Sequence, residues 1–311
     1  MTTASTVRHS SPQRTQMSHS RQERFLAWLL IAPAFLVVFA LIFIPIVRAL
    51  WMSLHVIDLK RPALGQPFVG LGNYADILQD GSFWASVGRT AYFMGLSIAL
   101  EVVLGVAVAV LLNQSFKGRG LLRALVLIPW ALPITIDAIM WKWIYNPSYG
   151  ALNSLLYQSG LISSYRTWLS DPISAMHMVI VADVWKTTPL VILLTLAALQ
   201  TIPPALYEAA RVDGASAWRS FWSVTLPLLR PTLTIILVIR TMDAFKVFDI
   251  IYIMTSGGPS DGTKVIAYYT YLEAFSFLRQ GRGAALAWLM TLFIGVMAFF
   301  YIRLVNRETE Y

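Results

Sequence analysis

Trp28-Leu-Leu-Ile-Ala-Pro-Ala-Phe-Leu-Val-Val-Phe-Ala-Leu-Ile-Phe-Ile-Pro-Ile-Val47 runs for 20 residues without a charge. A bilayer core ~30 Å thick takes about 20 apolar residues in a helix to cross. The hydrophobic region of a signal peptide spans only ~7–15 residues, so this stretch reads as a retained membrane anchor. Within a wider apolar segment, 26–50, it is the first of six. The others fall at roughly 90–112, 123–145, 173–199, 231–255 and 284–304. In lipid each segment must close its own backbone hydrogen bonds, which makes helix the default. The alternating pattern of a membrane β-barrel is absent. The predicted fold class is an all-α integral membrane protein with six transmembrane helices.

Composition agrees. Of 311 residues, 57% are hydrophobic and only 13% charged, and mean hydropathy is +0.62. A soluble domain carries about 25% charged residues, so this chain lacks the charge for a solvated skin. Its net charge is +8, but the basic residues lie in the N-terminal tail, in loops and near segment ends. No compact basic patch forms, and nucleic-acid binding is excluded on that ground. With no cysteine, disulfides, thiolate chemistry and iron–sulfur ligation are excluded too. Residues 1–24 are polar and rich in Ser, Thr, Gln and Arg, and are predicted to form a disordered tail. Residues 25–311 form one six-helix domain. The loops near 51–89, 146–172 and 256–283 have room for short helices and turns but not for a separate core. The loop at 113–123 holds Lys117, Arg119 and Arg123 and no acidic residue. By the positive-inside rule it is cytoplasmic, and both termini with it.

The connection at 200–230 carries the most local information. It reads Thr201-Ile-Pro-Pro-Ala-Leu-Tyr-Glu-Ala-Ala-Arg-Val-Asp-Gly214, then Ala215-Ser-Ala-Trp-Arg-Ser-Phe-Trp-Ser-Val-Thr-Leu-Pro227. Pro203 and Pro204 suit a helix start, where the missing amide costs nothing. Gly214 suits a left-handed stop. Ser216 suits the cap of a second short helix, which Pro227 is expected to close. The prediction is helix, sharp turn, helix. On these residues alone the unit is a structural elbow, an amphipathic surface helix or a docking knob for a partner.

Glu208-Ala209-Ala210, three residues, Gly214, nine residues, then Val224-x-Leu226-Pro227 resembles the signature loop of binding-protein-dependent ATP-binding-cassette importer permeases. Val224 stands where Ile is usual. Two shorter stretches, Phe68-Val-Gly-Leu-Gly-Asn-Tyr74 and Thr255-Ser-Gly-Gly-Pro259, are similar to the carbohydrate branch of that family, the maltose- and glycerol-phosphate-type first permease subunit. The resemblance implies the type I importer fold in a bacterial inner (plasma) membrane. It also implies a second permease subunit, two ATPase subunits and an extracytoplasmic solute-binding protein or lipoprotein as partners. Glu208, Ala209, Ala210, Asp213, Gly214, Leu226 and Pro227 are then the ATPase-coupling residues. ATP and magnesium belong to the partner ATPase, since this chain has no Gly-x-x-x-x-Gly-Lys-Ser/Thr phosphate loop. No cofactor or metal is expected in the chain, and its solute is expected to be a carbohydrate: a di- or oligosaccharide, a polyol or glycerol phosphate.

Intramembrane polar residues give the candidate solute path, because each costs roughly 2.5–3.5 kcal/mol at mid-membrane and should face the bundle or a cavity. The fourth segment holds Asp183, Trp185, Lys186 and Thr187 before Pro189. The fifth holds Arg240, Asp243, Lys246 and Asp249 at three-residue intervals. That run also fits ion pairs along a single helix. The resemblance places the solute site at the kinked stretches of these two helices. It points to Asp183, Trp185, Lys186, Thr187, Asp243, Lys246, Phe248 and Tyr252, with Asp137 and Trp141 from the third segment. Glu101, alone in the second segment, reads as a hydrogen-bond partner to another helix. A membrane-embedded enzyme would need a clustered acid–base or metal motif, and none is present. A scaffold without a transport site is disfavoured by the charges buried in the fourth and fifth segments. A permease for an amino acid, peptide or ion is the nearest alternative.

Overall fold

The computed structural model describes residues 16–308. The first 15 residues of the tail lie outside that range. From Gln16 the chain is already helical, because Gln16–Arg24 contains neither proline nor glycine and runs straight into helix α1, Gln16–Ser53. The chain divides into two units between Met52 and Ser53. In the first, α1 carries Pro33 and Pro45 within it and exposes its apolar side chains from Phe25 onward. Phe35, Phe39 and Phe43 stack one turn apart, with ring centroids 6.1 and 4.6 Å from each other. An all-round apolar helix of this length needs lipid as its surroundings.

In the second unit, the Gly-Asn-Tyr stretch acts as a staple. The Asn73 side-chain amide donates to the carbonyls of Ser53 and His55, and Tyr74 donates to Ser53 Oγ at 2.7 Å. Helix α2, Gly72–Gln79, leads to Asp80, whose carboxylate caps helix α3, Gly81–Asn113, by accepting from the Ser82 amide. Then follow α4, Arg119–Ala131, α5, Ile134–Ile144, α6, Ala151–Gln158, and α7, Pro172–Thr201. Helix α8, Pro204–Val212, and the single turn α9, Ala217–Ser220, form the elbow. Helix α10, Leu226–Phe245, α11, Asp249–Met254, α12, Ile266–Tyr271, and α13, Gln280–Glu308, complete the chain. The short helices α2, α6 and α12 occupy the three long loops.

Among the described residues five helices are long and apolar enough to cross a membrane, and up to six spans result if α4 and α5 count as one. The segment expected as a single helix at 123–145 is bent by 97° between them. Leu132 is extended there and Pro133 follows. A proline disfavours helix at the residue before it, so the pair breaks the helix rather than merely kinking it. The fifth segment differs in a second way: α10 stops at Phe245 and a new helix starts at Asp249. Helix α7 is the hub, packed against α3, α4, α5, α10 and α11. At its crossing with α3, Gly105 lies so close that a Cβ there would meet Val191 Cγ1 at 2.5 Å.

The N-terminal ends of α3 and α13 are tied by a polar clamp. Tyr269 donates to Asp80 at 2.8 Å, Arg282 pairs with the same carboxylate, and Arg279 reaches the buried Glu273 at 3.4 Å. Burial works to raise the Asp80 carboxyl, but Tyr269, the Ser82 amide and the Arg282 charge together hold it below its ordinary value. Burial pushes the Tyr269 phenol up to about 12.

Candidate functional site

Two arrangements stand out: an exposed elbow between α7 and α10, and a polar core where α3, α7 and α10 meet.

The elbow follows from local chemistry. Pro203 caps α8 and Pro204 is its first helical residue, where a missing amide leaves nothing unpaired. At the far end the Ala215 amide donates to Ala210 O at 2.9 Å and the Gly214 amide to Arg211 O at 3.1 Å. Gly214 sits at φ 76°. These are the paired bonds of a Schellman stop, which favours glycine at the left-handed position. Ser216 then caps α9, accepting from the Arg219 amide at 3.3 Å. Pro227 does not end this second helix as expected. A wide turn at Phe221–Thr225 carries the chain directly into α10, with the Leu226 amide donating to Phe221 O. Such an i+5 turn shifts the hydrogen-bond register, here just before the residue that lacks an amide. Tyr207 lies 3.0 Å from Thr225 Oγ1 and pins α8 to the wide turn. Glu208, Ala209, Asp213 and Gly214 are exposed, Ala210 is half-buried, and Val212 is 88% exposed. Leu226 and Pro227 are instead half-buried in the first turn of α10.

The polar core centres on Arg240. Its guanidinium reaches Glu101 at 2.5 and 2.8 Å and Asp183 at 3.3 Å. Ser97 Oγ lies 2.8 Å from Glu101 and 2.6 Å from Asp183, and Thr187 donates to Glu101 at 2.8 Å. Glu101, Asp183 and Arg240 are all buried. Here the arginine fork satisfies one carboxylate with two parallel bonds while tying three helices together. The residues expected along the solute path therefore separate into three places. Asp183 and Thr187 belong to the buried core. Asp137, Trp141, Trp185 and Lys186 gather at the α4–α5 bend. There Lys186 donates to the carbonyl of Leu132, the Trp141 and Trp185 rings meet edge-on at 5.7 Å, and buried Asp137 has no hydrogen-bond partner on either oxygen. Asp243, Lys246, Phe248 and Tyr252 lie at the break between α10 and α11.

The charge run in the fifth segment is not a ladder. Only Asp243 and Lys246 pair within it, at 3.1 Å. Arg240 turns to α3 and α7, and Asp249 falls beyond the break. Glu101 is the interhelix partner its solitary position suggested. Arg240 as the centre of a three-helix ion cluster was missed. Matching the signs of the buried charges segment by segment would have been the signal, two carboxylates against one cation. Among the described residues no group of His, Cys, Asp and Glu is placed to hold a metal.

Several membrane-crossing helices, a broken span and an exposed helical elbow define a polytopic membrane transport subunit. Comparison with known proteins agrees: residues 101–310 match the model of the binding-protein-dependent transport system inner membrane component. The chain belongs to that family, whose members are permease subunits rather than enzymes. It is 47% identical over 260 residues to the trehalose/maltose transport system permease protein MalF of Thermococcus litoralis, covering 84% of this chain and 85% of that one. It is 38% identical to the trehalose transport system permease protein SugA of Mycobacterium tuberculosis, covering 91% and 89%. It is 35% identical to the sulfoquinovosyl glycerol transport system permease protein SmoG of Agrobacterium fabrum, covering 92% of each. In fold it is similar to a chain of a bacterial ABC transporter involved in import of the acidic polysaccharide alginate. That match has a TM-score of 0.80 at 24% identity, covering 95% of this chain and all of the other.

Proposed function

We propose that the chain is one of two permease subunits of an ATP-driven importer for a di- or oligosaccharide or a small glycoside. Relatives named for trehalose, maltose and sulfoquinovosyl glycerol transport support the carbohydrate class. The observation that carries the mechanism is the elbow: two short helices, locked at a defined angle by a Schellman stop and a serine cap, standing exposed at the C-terminal end of α7. In this reading α8 seats in a groove of a separate ATPase, which binds ATP and magnesium. Glu208 pairs there with a basic residue, Ala209 and Ala210 allow close approach, and Asp213 and Gly214 set the turn. Closure of the two ATPase subunits moves the elbow, and Leu226 and Pro227 pass the motion into α10. Through α10 it reaches Arg240 and the break before α11, switching access from one side of the membrane to the other. Both termini then lie in the cytoplasm, residues 1–24 are a tail, and an extracytoplasmic binding protein delivers the solute. Asp137, Trp141, Lys186, Asp243 and Lys246 supply donors, acceptors and ring faces along the path, beside the buried Asp183 and Thr187.

The test is reconstitution of the full complex in proteoliposomes with a loaded binding protein. ATP-dependent uptake of labelled maltose or trehalose is expected, abolished by Glu208→Ala with the subunit still inserted. A complex with an active ATPase that carries no glycoside would overturn the reading.

A further inference from the structure

Five aromatic rings form a continuous face where α11 meets α12 and the turn after it. Phe248 and Tyr252 stack with centroids 5.4 Å apart and planes 22° from parallel. Tyr271 closes on both, at 5.2 and 5.4 Å. Phe275 extends the face, 5.4 Å from Tyr271. Tyr268 lies 6.1 Å from both Phe248 and Tyr271 and is only 6% exposed. Gly257 lies flat against the Tyr268 ring, since a Cβ there would sit 2.5 Å from Cε1. The floor is thus fixed, while Tyr252 and Phe275 are 44% and 65% exposed.

The polar groups around this face decide what it meets. Asp249 and Ser256, one helical turn either side of Tyr252, are exposed. The Asp243–Lys246 pair, just before the break, is exposed as well. Lipid is a poor occupant, because charges facing hydrocarbon cost roughly 2.5–3.5 kcal/mol each. An apolar protein face would take the same charges out of water and offer them no further hydrogen bonds to repay that cost. A pyranose ring satisfies both halves. Its C–H face lies on an aromatic ring, and its hydroxyls find carboxylate acceptors and ammonium donors at the edge, the usual make-up of a small-molecule site.

We propose that Tyr252, Tyr271 and Phe275, on the floor of Tyr268, form a glycoside-stacking subsite separate from the buried Glu101–Asp183–Arg240 core. The proposal rests on the carbohydrate reading above and adds three residues of the α12 region to the path. Its role is to hold a sugar ring while the elbow changes state, so that each ATP cycle moves a solute.

The experiment uses the full complex with saturating maltose-loaded or trehalose-loaded binding protein, and reads solute moved per ATP hydrolysed. Tyr252→Ala and Tyr271→Ala should each lower that ratio at least tenfold with ATP hydrolysis and subunit recovery near wild type. Tyr271→Trp should restore it and Tyr271→Phe should retain it. A purely structural role would lower transport and ATPase together. An unchanged ratio in Tyr252→Ala, Tyr271→Ala and Phe275→Ala would overturn the proposal while wild-type glycoside uptake leaves the carbohydrate reading standing. Loss of the second permease subunit from Tyr252→Ala and Phe275→Ala complexes would overturn it in favour of a subunit contact. Wild-type complex that hydrolyses ATP but carries neither sugar would remove both.

Discussion

Arg240→Met removes the cation from the core and leaves Glu101 and Asp183 facing one another in a dry interior. The side chains of Arg240, Glu101 and Asp183 are 6%, 0% and 9% exposed, so water cannot take over the pairing. Breaking a buried ion pair by deleting one partner costs about 3–5 kcal/mol, because the surviving charge keeps its desolvation cost. Two carboxylates survive here, which puts the expected loss at the upper end. Replacing Glu101 and Arg240 together with Leu and Met removes the carboxylate that Arg240 clasps bidentately and leaves Asp183 as the one carboxylate without its cation, so only part of the loss should return. Asp183 keeps Ser97 at 2.6 Å. The assay is equilibrium unfolding of the purified subunit in mixed micelles, followed by tryptophan fluorescence, run as a double-mutant cycle. For contacting residues the cycle should give a coupling of about 0.5–3 kcal/mol or more. If Arg240→Met unfolds within about 1 kcal/mol of wild type yet abolishes solute uptake, the reasoning fails, and Arg240 faces the solute instead of tying α3, α7 and α10.

Three further outcomes are expected. Gly214→Val forces a β-branched residue to φ 76° at a cost of about 1–2 kcal/mol; uptake should fall with membrane insertion unchanged, and Gly214→Asn should be the mildest replacement, as a vesicle transport assay would show. Gly105→Ala drives a methyl against Val191 and should destabilise the α3–α7 crossing by about 1–3 kcal/mol, with partial relief from Val191→Ala in the same unfolding assay. The Asp80 carboxyl is held below its ordinary value in the fold. Its contribution is therefore present above the unfolded pKa of about 3.9 and is lost as pH falls through the lower folded value. Unfolding midpoints measured from neutral pH down to about pH 2.5 should drop less steeply for Asp80→Asn than for wild type.

The first span was legible because a charge-free run of membrane length has few alternative readings, and the others because their few charges interrupt long apolar stretches. The elbow was legible because proline, glycine and serine act through their own backbones: Pro204, Gly214 and Ser216 stand where local rules put them. What stayed hidden was set by contacts distant in sequence. Nothing in Phe245-Lys246-Val247-Phe248 is a helix breaker, yet α10 ends there, among buried Val247, Ile250 and Ile251 packed in the main core. The ion cluster joins positions as far apart as Glu101 and Arg240, and the evenly spaced charges of the fifth segment suggested pairing along the helix instead. The wide turn at Phe221–Thr225 replaced the expected stop at Pro227, because a change of hydrogen-bond register accommodates a proline that a regular helix would not. Phe248 and Tyr252 were visible as a one-turn pair, whereas Tyr268 and Tyr271 reach them only once α12 has folded back over α11.

The absence of cysteine from the chain permits a direct test of the elbow. Val212→Cys places one thiol on the exposed end of α8, one residue before the turn. In right-side-out and inverted vesicles carrying the whole complex, this thiol should react with a membrane-impermeant maleimide only from the cytoplasmic face. A short bifunctional maleimide should join it to an ATPase bearing a cysteine in its facing groove. Labelling from the outer face, or a thiol equally open with and without the ATPase and never joined to it, would contradict the account.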